Sequence, residues 1–362
     1  FMESMSAELM GHFGNPWQLT PFLDTIATKS LCFNRFFSAG THTNHAIHST
    51  LYSYPALMKR NSMKGAVIPF FAGLPTILQD NGYSTLFFMT HESQYDNMNG
   101  YLRTNGFDRI FAQEDYPKEK VVNSFGVQDD FLYQYALPVL TQTAREGKPF
   151  FAALLSISNH PPYVVPKDFK ARNNTDELRI VEFADHALEQ FITQASREEW
   201  FDNTIFVFVG DHGKLVGTPR SDMPLSFNHV PLLIYAPSTI EPCQIDDLGG
   251  QTDIAPTLLG LLQIDYVNNG FGVDLLREKR PAVVFTSDDA VGCVNDSLFY
   301  IYKPKDNQEW LLAHKQTIEQ SGDIADPAAR QSLRDYSFSI LQTAQYLMSN
   351  GLTGKYIGYQ PR

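Results

Sequence analysis

Three apolar runs in this chain each end in a polar turn that carries histidine, and this repetition constrains the fold more than any single motif. Residues 85–89 lead to His91, residues 150–155 to Ser158-Asn159-His160, and residues 204–209 to Asp211-His212-Gly213. Each run is short and almost wholly apolar, the texture of a strand buried on both faces. Stretches with helical spacing precede them. Residues 74–81 run up to Gly82 and the first strand, and residues 131–145 come before the second. Residues 180–192 come before the third, with apolar side chains at 180, 181, 184, 187, 188, 191 and 192. Helices alternating with buried strands predict an α/β fold, a mainly parallel central sheet with helices on both faces. Parallel strands place their C-terminal turns on one edge, where open α/β sheets bind ligands.

The pattern continues through an apolar run at 230–235 and a helix near 253–262. Beyond about 275 the texture changes to short strands at 282–285 and 298–302, polar turns, and a terminal helix over 331–348. Residues 1–275 are therefore expected to form the main domain, and 276–362 a small α+β C-terminal subdomain packed on it. The opening Phe1-Met2-Glu3-Ser4 reads as the end of a strand and its following turn, so a segment upstream is expected.

Charge narrows the function. A net charge of −12 without any Lys/Arg block disfavours nucleic acid. An anionic substrate remains compatible if a metal supplies the positive charge. Cys32, Cys243 and Cys293 are too dispersed for a cysteine-rich zinc site or a disulfide scaffold. No stretch reaches the roughly 20 apolar residues of a membrane span.

Two polar clusters carry the chemistry. Asp211 and His212 offer oxygen and nitrogen donors to a divalent metal, though the same pair would also suit a capped turn with a half-buried histidine. Gly40-Thr41-His42-Thr43-Asn44-His45-Ala46-Ile47-His48-Ser49 packs three histidines among hydroxyl residues. Threonine is a poor nucleophile until its proton is removed or its oxygen is bound by a metal. A helix opening at Thr43 would also bind phosphate oxygens. An N-cap threonine in a solvated loop is the alternative.

The ordered set of motifs resembles a known family. It comprises Glu3, Gly40 to Asn44, Ser158-Asn159-His160-Pro161-Pro162-Tyr163, Asp211-His212-Gly213, His229-Val230-Pro231-Leu232 and Gln251-Thr252-Asp253-Ile254-Ala255-Pro256-Thr257. Together these resemble the sulfatase-like branch of the alkaline phosphatase superfamily, and within it the lipoteichoic acid synthase-type phosphoglycerol transferases. The resemblance covers about residues 1–270. It implies that Glu3, Thr43, Asp211 and His212 hold one divalent cation, with Mn2+ the first expectation, Mg2+ or Zn2+ the alternatives, and a second metal left open. Thr43 would be the nucleophile and His160 a catalytic, substrate-facing histidine. His91, His229 and Asp96 would meet substrate, with His42 and His45 as further pocket candidates. His12, His186 and His314 are expected to be structural or solvent-facing.

Two departures bear on the substrate. The Cys-x-Pro-x-Arg pattern of formylglycine sulfatases is absent around Thr43, which argues against ordinary sulfate-ester hydrolysis. Phosphoglycerol transferases carry an aromatic-Trp-Asn-Arg run where this chain has Tyr95-Asp96-Asn97-Met98. The resemblance implies transfer of a phosphoglycerol-type head group from a phospholipid to a glycan or lipid acceptor through a phospho-threonine. The alternatives are a phosphoethanolamine-type transferase, a phosphodiesterase, a sulfatase-like hydrolase, or a non-catalytic glycan- or lipid-binding relative. It also implies an extracytoplasmic domain, periplasmic or at the cell surface, anchored to the membrane through an upstream segment.

Overall fold

A computed structural model of the protein describes residues 1–58, 61–65, 67–315 and 317–354, so the last eight residues of the expected C-terminal subdomain lie outside it. The described strands of the first half are β1 (Leu31–Phe37), β2 (Ser84–Met89), β3 (Arg109–Phe111), β4 (Phe150–Leu155) and β5 (Phe206–Val209). Then come β6 (Leu232–Tyr235), β7 (Cys243–Gly250), β8 (Val283–Thr286), β9 (Val291–Val294), β10 (Leu298–Lys303), β11 (Gln308–Lys315) and β12 (Ile318–Glu319). The helices are α1 (Pro21–Ala27), α2 (Thr43–Tyr52), α3 (Leu74–Asp80), α4 (Met98–Thr104), α5 (Asp129–Ala144), α6 (Asp176–Ala195), α7 (Ile254–Leu261) and α8 (Pro327–Ser349). The strands form sheets ordered β3-β2-β4, β5-β6-β1-β7 and β12-β11-β10-β9-β8. By contacts the chain divides into two compact units, 1–34 with 78–210 and 231–245, and 35–77 with 211–230 and residues from 246 onward.

In the first unit β2 pairs in parallel with both β3 and β4. Leu86, Phe87, Phe88 and Met89 are all buried, whichever face they point to, and α5 packs on this sheet. That double burial is why the strand reads as an unbroken apolar run. Residues 1 and 2 act as the strand end expected of them. The Phe1 amino group donates to Leu154 O at 2.8 Å and Ser156 N–H donates to Phe1 O at 3.0 Å, the alternation of a parallel pair. Met2 N–H donates to Val209 O at 2.8 Å, and Met2 forms a parallel bridge with Gly210. Residues 1–2 therefore fill the place between β4 and β5.

The sheet is mixed. β6 runs antiparallel to both β5 and β1, so β5 and β1 share a direction. The connection from β5 to β6 has no crossover helix, only the short turn Leu225–Phe227, and a reversed strand needs none.

Asp185 on α6 ties α1 to this unit. Its two carboxylate oxygens accept the Phe22 and Leu23 N–H groups, each at 2.9 Å, which are donors that the first turn of α1 cannot satisfy internally. Burial pushes its pKa up to about 7 despite those hydrogen bonds.

The second unit contains α2, α7, α8 and the antiparallel sheet β8 to β12. Alternation along the strands of that sheet builds two cores. Val283, Phe285, Val294, Phe299, Ile301 and Leu312 pack with Phe37, Leu225 and Leu248. Val284, Val291, Cys293, Tyr300 and Leu311 pack with Leu333 of α8. Behind them Arg280 and Asp253 form a buried pair, Arg280 Nε lying 2.6 Å from both Asp253 carboxylate oxygens. Arg280 also donates to the Phe271 carbonyl and to Thr252 Oγ1.

Two outcomes follow from these buried charges. Because the folded pKa of Asp185 is raised, its contribution to stability is complete below about pH 4 and is lost as pH rises through 7. Thermal melts across pH 4–8 should therefore show a smaller decline for Asp185→Asn than for the wild type. Arg280→Ala leaves the Asp253 carboxylate buried and uncompensated, and urea titration should show a loss of about 3–5 kcal/mol.

Candidate active site

The C-terminal ends of β2, β4, β5 and the Met2 segment all lie on one edge of the first unit's sheet. β2 delivers Thr90 and His91, β4 delivers Ser156 to His160, and Met2 delivers Glu3. Glu3 is buried at 2% exposure. Its N–H donates to Ser156 Oγ at 3.0 Å, and Ser4 Oγ donates to Glu3 Oε1 at 2.6 Å. Asn159 Nδ2 donates to the carbonyls of Glu3 and Ser4, both at 3.1 Å. Ser4 adopts a left-handed φ of 49°, which turns the chain sharply behind the carboxylate.

His160 and His91 face related surroundings in the same unit. The His160 ring packs tilted against Phe125 at 4.1 Å between centroids, and His91 against Tyr95 at 4.7 Å, with Tyr95 and Phe125 at 6.4 Å. His91 is buried, and desolvation lowers its pKa below the ordinary imidazole value while the Glu92 carbonyl and then Asp96, Glu114 and Glu92 act the other way. Asp96 and Asn97 both sit at positive φ, 52° and 61°. Asp and Asn tolerate that region better than most residues. This turn replaces the aromatic-Trp-Asn-Arg run of the family with a compact acidic corner.

In the second unit the helix expected at Thr43 is present. α2 begins at Thr43, with His42 as N-cap. Thr43 Oγ1 donates to Asp211 Oδ2 at 2.9 Å. Asp211 is fully buried; its Oδ1 accepts the His212 N–H at 2.7 Å and its carbonyl accepts Gln251 Nε2 at 2.7 Å. Gln251 Oε1 in turn accepts the Ala39 N–H at 2.9 Å. One side chain thus spans the two segments that carry Asp211 and Thr43. His45 is buried against Gly40, where a Cβ would come within 2.3 Å of its Nδ1, so glycine is required there. His42 is exposed, and its Nε2 pairs with Asp288 at 2.9 Å. His229 is buried, bridged to Phe37 and tilted against its ring at 5.6 Å between centroids. The same segment is tied to the site by Gly213 N–H donating to Phe227 O and by Asn228 Nδ2 donating to Ser38 Oγ.

Three histidines share one orientation device. Nδ1 of His91, His160 and His212 lies against the carbonyl of Glu92, Pro161 and Gly213, at 3.0, 2.6 and 2.9 Å. A carbonyl only accepts, so each Nδ1 carries the proton and each Nε2 is left with its lone pair.

Among the described residues, ligand atoms of Glu3, Asp211 and His212 all lie within 4.8 Å of one another. The covalent bond from Gly210 to Asp211 and the Met2–Gly210 bridge account for that convergence. Two buried carboxylates beside an imidazole nitrogen fit a divalent cation, since like charges in a dry site call for compensation.

The supporting residues were less visible in the sequence. Gln251 and Asn159 lie inside family motifs, yet nothing in residue type points to a backbone-bridging role. Ser156 lacks even that context. His12 bonds Asn34 and Cys32, His186 is exposed beside Glu189, and His314 Nε2–H donates to the Asn295 carbonyl at 2.8 Å.

The family described as Sulfatase matches residues 1–264. The lipoteichoic acid synthase-like protein YvgJ of Bacillus subtilis is 24% identical over 376 aligned residues, covering 93% of this chain and 60% of that protein. The chain spans 48–60% of the length of the first lipoteichoic acid synthase relatives it matches. A protein of the alkaline phosphatase superfamily from Vibrio parahaemolyticus superposes with a TM-score of 0.86 at 25% identity, over 97% of this chain and 86% of the other. The lipoteichoic acid synthase LtaP from Listeria monocytogenes superposes with a TM-score of 0.82 at 23% identity, over 96% and 91%.

Gln251→Leu should weaken Mn2+ binding about 10–100-fold by isothermal titration, the usual scale for a residue that orients a ligand. An unchanged affinity would mean that Gln251 only packs the loop.

Proposed function

This chain belongs to the sulfatase family, and from that premise we propose that it is a divalent-metal-dependent transferase of phosphoglycerol-type head groups. The donor is a phospholipid and the acceptor a glycan or lipid. The observation that carries the reading is Thr43 at the start of α2 with its hydroxyl on Asp211, beside the Glu3–Asp211–His212 group. Glu3, Thr43, Asp211 and His212 would hold the cation, whose chemistry is to lower the hydroxyl's pKa and offset charge on phosphoryl oxygens.

The residues then have distinct tasks. Thr43 Oγ1 forms a bond to phosphorus while its proton passes toward Asp211 Oδ2. The bond from phosphorus to the leaving alcohol's oxygen breaks on the opposite side. Protonated His160, its Nδ1–H held by the Pro161 carbonyl, gives that oxygen a proton from Nε2. A second alcohol then attacks the same phosphorus and loses its proton to His160, while the bond from phosphorus to Thr43 Oγ1 breaks and that oxygen takes its proton back from Asp211. His91 and His229 contact the phosphoryl group or its substituent, and His42 and His45 flank the nucleophile. Residues 1–275 would constitute the catalytic domain and 276–362 a subdomain packed on it. In the full protein this chain would work outside the cytoplasm, held to the membrane by a segment beyond it.

One observation favours a second head group. Asp96, Glu114 and Glu92 surround His91, and the Arg of the phosphoglycerol pattern is absent. Such an acidic corner suits an amine, as in phosphoethanolamine.

Intact mass after incubation with Mn2+ and phosphatidylglycerol or phosphatidylethanolamine tests both readings. A phosphoglycerol increment on Thr43 supports the first and a phosphoethanolamine increment the second. Thr43→Ala should lose the increment and at least ~10^3-fold of turnover with the fold intact by circular dichroism. Turnover surviving that substitution overturns the nucleophile assignment.

A further inference from the structure

His229 departs from the orientation device of the other site histidines. Its Nδ1 lies 3.2 Å from the Thr317 hydroxyl instead of a backbone carbonyl. A hydroxyl can donate as well as accept, so this contact permits the opposite tautomer.

Thr317 occupies an unusual position for its type. Lys315, the last residue of β11, pairs with Ile318, the first of β12, and Thr317 lies immediately before β12. Its φ is 63°, in the left-handed region that a β-branched residue rarely enters and that Gly or Asn would occupy with less strain. It is also buried, at 6% exposure. Backbone strain of this kind concentrates where surrounding structure imposes it for function.

The surroundings hold the hairpin in place. Glu319, buried, accepts the Leu225 N–H at 3.0 Å and the Ser221 hydroxyl at 3.2 Å. The His229 N–H donates to Leu225 O at 2.7 Å. The turn is thereby fixed against the same loop that carries His229.

We propose that Thr317 is a positioning residue that donates its hydroxyl hydrogen to His229 Nδ1 and so keeps a proton on Nε2. The inference rests on the reading that His229 contacts the phosphoryl group. Nε2 of neutral His91 and His160 carries a lone pair, whereas a phosphodiester oxygen only accepts. A histidine that is neutral and still donates does what those two do only when protonated. The turn of the C-terminal sheet thus becomes part of the substrate site.

The test uses Thr317→Gly, Thr317→Ser and His229→Gln, assayed with Mn2+ and bis(4-nitrophenyl) phosphate, together with 15N-histidine NMR. Glycine removes the hydroxyl and relieves the strained φ. Thr317→Gly should keep or raise the melting temperature yet lower kcat about tenfold, and Thr317→Ser should restore it. In wild type the His229 15N shifts should show Nδ1 unprotonated and Nε2 protonated, and Thr317→Gly should show mixed tautomers. An Nδ1-protonated His229 in wild type, or unchanged shifts in Thr317→Gly, overturns the proposal. The NMR reading needs no turnover. If His229→Gln leaves kcat and KM unchanged, the substrate role of His229 fails. If it lowers kcat while Thr317→Gly does not, only the role of Thr317 fails.

Discussion

The hydrogen bond from Met2 N–H to Val209 O sets the register on which the site depends. It pairs the first residues of the chain with the end of β5, so that Glu3 and Asp211 each follow the last paired residue of neighbouring segments. A one-residue slip would turn Glu3 to the other face of the sheet. Ser156 and Asn159 hold the Glu3 backbone from the β4 side, and the left-handed Ser4 turns the chain away afterwards. A carboxylate more than two hundred residues from its partner is placed by backbone pairing, before any side chain contributes.

Side-chain hydrogen bonds then decide the chemical state of the groups so placed. Three histidines donate Nδ1–H to the carbonyl of the residue that follows, which leaves Nε2 as the nitrogen turned away from that carbonyl. For His212 this leaves a lone pair suited to a cation. For His160 it leaves a nitrogen that can take and return a proton. The i to i+1 geometry costs the fold little, because the acceptor is the next peptide group and moves with the ring. Gln251 works at the level below, joining the Asp211 carbonyl to the Ala39 N–H and so linking the segments that carry Asp211 and Thr43.

The buried Arg280–Asp253 pair supports that arrangement from behind, since Asp253 and Gln251 share one short turn. Asp253 also accepts the Gly250 N–H at 2.9 Å. A polar network this deep contributes geometry more surely than net stability, because desolvation offsets most of the attraction. The cores that hold the antiparallel sheet are apolar and follow the ordinary two-residue period.

Much of the site was legible in the sequence because its residues stand in local motifs. Buried strands of the parallel sheet show as apolar runs, and the polar residues that follow them are the ones placed at its edge. The helix at Thr43 was readable from the residues after it, and the convergence of Glu3, Asp211 and His212 followed from the family resemblance. What the sequence by itself determined was therefore the class of fold, the residue types at the sheet edge and the order in which they occur. Tertiary structure alone decided the reversal of β6, because strand direction depends on how a loop closes and not on the run's composition. It alone decided the tautomers, which are set by whichever group lies opposite each ring nitrogen. It also brought Thr317 to His229 across 88 positions, a contact with no local signal because the pairing of β11 with β12 and the burial of Glu319 create it.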